Sequence, residues 1–166
     1  MKLGYRIILV FIALAMVAGC GQKLTEEQLR AKALDYENKE QWDEVVKVFE
    51  ELIARYPDSP KADENLYQLG GLYASNFQDY QKSIDTYQKL IDNYPESNLV
   101  VQAQFMIGYR YANDLKDLDK ARAVYEDFIK KYPDHELVNS VKWELDNLGK
   151  DISDIELQLG SNNTGN

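Results

Sequence analysis

Two residues bound the chemistry open to this chain: it has one histidine, His135, and one cysteine, Cys20. A triad or a metal cluster built on histidine or cysteine needs several such groups at set spacing, and one of each supplies neither. A lone cysteine also excludes an internal disulfide. His135 stands where two related segments carry Ser59 and Ser97, at the start of a helical stretch, so a capping or surface role is expected for it. Carboxylate pairs are frequent, among them Glu26/Glu27, Glu50/Glu51 and Asp58/Asp63. General acid–base work would need one member held out of water, and nothing in the surrounding sequence marks such a pair. No Gly-rich phosphate loop, Walker-type lysine, His-Glu-x-x-His or nucleophile elbow is present. The expectation is a protein without catalytic residues, cofactor, metal or small-molecule substrate.

Charge narrows the partners. The 166 residues hold 19 Lys and Arg against 28 Asp and Glu, a formal charge of −9. An excess of acid argues against nucleic acid, which requires a basic surface, and against a polybasic grip on anionic lipid. Apolar residues make up 45%, enough for a core, and the length suits one domain or a short repeat array.

Cys20 acquires meaning from what precedes it. Lys2 and Arg6 are followed by twelve apolar residues from Ile7 to Ala18. As a helix these extend about 18 Å, short of the roughly 30 Å of a bilayer core, so the segment reads as a signal h-region. The box Val17-Ala18-Gly19-Cys20 resembles the lipobox of bacterial lipoproteins. That resemblance implies cleavage between Gly19 and Cys20, diacylglycerol on the Cys20 thiol, and a mature chain of charge −11. An ordinary secretory signal or a short uncleaved anchor are the other readings of the same residues. Gly21 resembles the class exported to the outer membrane; in a one-membrane host the protein would sit on the outer face of the cytoplasmic membrane.

The elements beyond this leader repeat. Tyr56-Pro57-Asp58-Ser59, Tyr94-Pro95-Glu96-Ser97 and Tyr132-Pro133-Asp134-His135 recur at a spacing of 38. Ahead of each Pro the matched positions are Trp42/Tyr80/Leu118, Val45/Ser83/Ala121, Phe49/Tyr87/Tyr125, Leu52/Leu90/Phe128, Ile53/Ile91/Ile129 and Tyr56/Tyr94/Tyr132. Seventeen of these 18 are apolar where composition would give about eight, and their spacing places them on one helical face. Each Pro ends its helix. Ser59 and Ser97 are expected to cap the following helix, with Pro60 in its first turn. That helix carries Leu66, Leu69-Gly70 and Tyr73 in one copy and Ile107-Gly108 and Tyr111 in the next, the glycines admitting a neighbouring helix. A degenerate copy opens with Thr25 and Gln28 as a capping box, then Leu29, Ala33 and Tyr36.

This pattern resembles the tetratricopeptide repeat (TPR), with its Leu-Gly-x-x-Tyr helix A and aromatic-to-Pro helix B. The resemblance implies an all-α, right-handed solenoid of three helix pairs and a capping helix. The expected divisions are a lipoprotein signal at 1–19, lipidated Cys20 and tether at 20–24, repeats at 25–59, 60–97 and 98–135, the cap at 136–149, and a short helix with a flexible tail at 150–166. Copies two and three exceed the usual 34 residues, with an additional residue placed in the A–B loops near Phe77 and Leu115.

In that family the A helices line the concave side. The position pointing into the groove holds Tyr67 and Phe105, and one period on stands Trp143. Arg30, Glu64, Gln102, Tyr109 and Asn113 would lie nearby. An aromatic column suits a peptide-binding groove; packing between neighbouring helices explains the same residues equally well. Glu64, Tyr67, Gly71, Phe105 and Tyr109 do not match the carboxylate clamp of chaperone-tail binders. Lipobox, short tether and repeats together resemble the outer-membrane assembly lipoprotein BamD family, although that family carries about five repeats. The TPR region of the Tol-Pal-associated CpoB/YbgF family is similar too, without its coiled coil. These resemblances imply a scaffold for envelope proteins or peptide segments, held to membrane lipid through acylated Cys20 at the periplasmic face of the outer membrane. A chaperone-like capture of envelope polypeptides is the alternative.

Overall fold

The computed structural model describes residues 23–150; Gly19, Cys20 and the expected helix after Asp151 lie outside them. Seven α-helices follow one another: α1 (Glu26–Asn38), α2 (Trp42–Arg55), α3 (Ala62–Asn76), α4 (Tyr80–Asn93), α5 (Val100–Tyr109), α6 (Leu118–Lys131) and α7 (Val138–Asp146). Among the described residues there is no strand. Each helix packs mainly on its sequence neighbours, which makes an all-helical solenoid of three A–B pairs closed by α7.

The start and stop signals act locally. Thr25 accepts the Gln28 N–H while the Gln28 side chain accepts the Thr25 N–H, a complete capping box on α1. Asp79 and Asp117 cap α4 and α6 through the N–H of Lys82 and Lys120. The helices before Pro57, Pro95 and Pro133 stop at Arg55, Asn93 and Lys131, and Tyr56, Tyr94 and Tyr132 leave the helical region at ψ 52°, 60° and 55°, as a residue preceding proline must.

Three cores result, each shared by the two helices of a pair and the A helix of the next. Leu29, Val45, Phe49, Leu52 and Leu69 form the first; Leu66, Tyr87, Leu90, Val100 and Ile107 the second; Ala121, Tyr125, Phe128, Val138 and Val141 the third. Because every core spans two repeats, no repeat buries its own stripe alone. The glycines act as the sequence requires. A Cβ on Gly70 would lie 2.8 Å from Cε1 of Tyr87, and one on Gly108 would collide with the ring of Tyr125.

Three expectations are corrected. The A–B connections are equal in all three repeats: three residues each, with a positive φ at Glu40, Gln78 and Lys116. The additional residue sits instead in the A helix. Gln41 N–H bonds to Tyr36 five residues back, whereas Asp79 and Asp117 bond to Tyr73 and Tyr111 six residues back. In the third repeat the excess widens the last turn into a π-helical segment, Arg110–Asp114. Ser59 and Ser97 lie two residues ahead of the helix caps Lys61 and Leu99. Each accepts an N–H from Lys61 or Leu99 and donates to the first-turn acid of the preceding A helix, Glu26 or Asp63, at 2.6 Å. They therefore tie one repeat to the next; His135 supplies only the first half, its Nδ1 accepting the Leu137 N–H. Finally, the first residue of each apolar stripe is only partly covered: Trp42 and Tyr80 are half-buried and Leu118 is 37% exposed.

A buried amide in the core lacks the polar partners it needs. Asn65 is fully buried, and neither its amide nitrogen nor its oxygen has a hydrogen-bond partner among the described residues. One and two periods on, the same place holds Ala103 and Val141, both fully buried. An unsatisfied buried amide costs about 1–3 kcal/mol, while Asn and Val have similar helix propensity. Asn65→Val is expected to raise stability by about 1 kcal/mol, read as a higher melting temperature; a lower one would mean that the amide has a partner.

Candidate peptide-binding groove

The repeat, 37 residues from α1 to α3 and 38 thereafter, brings equivalent residues of α1, α3, α5 and α7 onto one face. Tyr67 on α3 is half-buried, its ring 5.4 Å from that of Tyr87. Phe105 on α5 is half-buried between Tyr109 and Tyr125, at 6.4 and 6.5 Å. Trp143 on α7 is 52% exposed. The column is thus graded: each ring rests on the B-helix tyrosine beneath it where one exists, and Trp143 stands free of such cover. Packing and exposure are both present at Tyr67 and Phe105.

The rings beneath are fixed and neutral. Burial pushes the Tyr87 hydroxyl up to about 12 and raises that of Tyr125 further, and the Tyr125 oxygen has no hydrogen-bond partner among the described residues. They form the floor of the face.

The remaining expected residues divide into two groups. Tyr109, Asn113 and Trp143 come together around a hollow of about 650 Å³ between the π-helical turn and α7. Arg30 and Glu64 lie apart from it. Arg30 bonds Glu26 at 3.1 Å and the Lys61 carbonyl at 3.3 Å, so its guanidinium already serves the joint between repeats. The Ser59 hydroxyl first, then Arg30, hold Glu26 below the usual carboxylate range. Glu64 is exposed, and Gln102 is half-buried with its Oε1 inside.

Two residues of this face escaped the sequence reading. Leu34 is 58% exposed and precedes Gly71 by 37 residues and Tyr109 by a further 38, so it extends the Tyr109 ridge to the first repeat. Aligning Tyr36 with Tyr73 would have placed it. Arg110 lies with its guanidinium carbon 5.3 Å from the Tyr109 ring centre and its Nη1 2.8 Å from Asp114. Only the π-helical turn sets that position, and no periodic pattern announces such a turn.

The face offers ring surfaces, a cation braced against one of them, and side-chain amides. This is an inventory for recognising a polypeptide. Comparison with known proteins adds the family: its model, the tetratricopeptide repeat, matches residues 30–59, 64–97 and 102–135, more than half of the chain. A comparison with curated proteins gave no match. Repeats of this kind are generally non-catalytic and bind protein partners. With three matched repeats, three shared cores and a Gly–Tyr contact in each of the last two pairs, the chain belongs to the tetratricopeptide-repeat family.

Proposed function

We propose that the protein is a non-enzymatic scaffold anchored to a bacterial envelope membrane, which binds an extended or helical segment of another envelope protein along the A-helix face. The observation that carries the binding half is the column Tyr67–Phe105–Trp143, with Leu34 and Tyr109 beside it. These are large apolar groups left at the surface in register, where core packing alone would have covered them. The anchoring half rests on the leader and the Cys20 box, and one structural feature suits it. The Leu24 carbonyl accepts from Arg55 at 2.8 Å and from Tyr56 at 3.1 Å, which pins the array's start. Cys20 is four residues away, a reach of at most about 14 Å, so the B–A turn edge would lie next to the lipid. A BamD-like part in outer-membrane protein assembly is the role this reading favours.

The test is substitution on the face. Tyr67→Ala, Phe105→Ala and Trp143→Ala are each expected to weaken capture of the partner in crosslinked envelope preparations by about 5- to 30-fold, the range of a buried aromatic anchor, with helical circular dichroism retained. Loss of folding in all three would assign the column to the core.

A further inference from the structure

We infer that Gly71 holds open a notch in the A-helix face, in which the Tyr87 hydroxyl donates to an amide carbonyl of the bound polypeptide. The inference rests on the proposed binding role of this face and names the chemistry of one subsite within it. Glycine inside a helix carries a propensity cost. Close packing offsets that cost at Gly70 and Gly108, where a Cβ would collide with the rings of Tyr87 and Tyr125. Nothing of the kind happens at Gly71. A Cβ there would meet only the Tyr87 hydroxyl, at an ordinary 3.6 Å. The ridge therefore has a gap, with Leu34 and Tyr109 one repeat to either side and no side chain between them.

The floor of this gap differs from its neighbours. In register, Phe49 matches Leu34 and brings no hydroxyl, and Tyr125 matches Tyr109, its oxygen sealed from solvent. Tyr87 is 1% exposed, yet its oxygen is not sealed in this way, and no described residue bonds to it. Burial keeps that hydroxyl protonated and able to donate. The charge of Arg110 reaches it, but Asp114 holds the guanidinium at 2.8 Å, and exposed Glu64 stands two turns earlier on α3. A carboxylate would thus gain little from Arg110 and be repelled by Glu64. An apolar plug would bury the hydroxyl without a partner, which is unfavourable. A neutral carbonyl oxygen meets both conditions. The Tyr67 ring, 5.4 Å from that of Tyr87, gives the rest of the amide an apolar wall.

The test titrates the full chain, in phosphatidylcholine nanodiscs and with isotope-labelled glycine and tyrosine, against four small probes. These are N-methylacetamide for a main-chain amide, propionamide for an Asn or Gln side chain, acetate, and tert-butanol. The Gly71 resonance is expected to move and saturate with an amide, the tighter of the two identifying the source, and to move several-fold less in Tyr87→Phe. Tyr87→Phe and Gly71→Ala are each expected to lower partner capture about 5-fold with no fall in melting temperature. No movement with either amide, equal movement with acetate or tert-butanol, or a loss of capture that comes with a lower melting temperature would overturn the inference. Undiminished capture in these two variants, beside weakened capture in Tyr67→Ala, Phe105→Ala and Trp143→Ala, would overturn it too and leave the binding role of the face in place.

Discussion

Gly108→Ala is expected to destabilise the array by about 2 kcal/mol, while Gly71→Ala stabilises it, although both lie in A helices and both replacements improve helix propensity by about 1 kcal/mol. The difference is what a methyl group would meet. At Gly108 it would run into Cε1 and lie 2.7 Å from Cδ1 of Tyr125, a ring with no exposed surface, set against Phe105. The ring cannot withdraw, so the helices must part, and overpacking of this kind costs about 1–3 kcal/mol and occasionally more. At Gly71 the nearest atom is the Tyr87 hydroxyl at 3.6 Å, an ordinary contact. Thermal unfolding followed by circular dichroism should therefore show Gly108→Ala roughly 8 °C below the parent and Gly71→Ala above it. Tyr125→Leu in the Gly108→Ala background should recover part of the loss. Shifts of the same sign at both glycines would mean that α5 and α6 do not approach as described.

Cys20→Ser carries the other large effect, because it would remove the whole of the proposed anchor. One acyl chain gives only marginal, reversible attachment, with an association constant of about 10⁴ M⁻¹, whereas two hold durably. If the Cys20 thiol takes diacylglycerol, cells fed a labelled fatty acid will place label on the parent and none on Cys20→Ser. The parent's mass will also lack residues 1–19. An unlabelled parent, or one that keeps its first 19 residues, would remove the lipid anchor from the account and leave the solenoid untouched.

Much of the fold was legible because it is repeated. Three Tyr-Pro turns and six apolar positions at one spacing identify the B helices, and Thr25 with Gln28 starts α1 where the side chains say. What escaped has a common cause: it depends on how one element sits on another. The surplus residue of the second and third copies could be housed in a loop or in a helix at equal sequence cost, and the helix took it, as a π-helical turn in the third. Ser59 and Ser97 carry a capping signal, yet their hydroxyls reach Glu26 and Asp63 more than thirty residues away, which no local rule anticipates. Asn65 breaks its own pattern, a polar residue where the next copies have Ala and Val. Along the face, the sequence sets Tyr67 and Phe105 apart from the core positions, and the structure finds both half-buried, resting on Tyr87 and Tyr125 at the edge of the cores. Arg110 owes its place beside Tyr109 to the turn alone.

The central claim is that the A-helix face, and not the B-helix face, meets the partner. Site-specific photocrosslinking in the native host tests it most directly, with a benzophenone side chain at position 105 on α5 or at position 89 on α4, where Lys89 is exposed. A discrete adduct is expected from position 105 and none from position 89, and the adduct should fall by about 5- to 30-fold when Tyr67→Ala is added. Equal adducts from both positions, or an adduct from position 89 alone, would contradict the account.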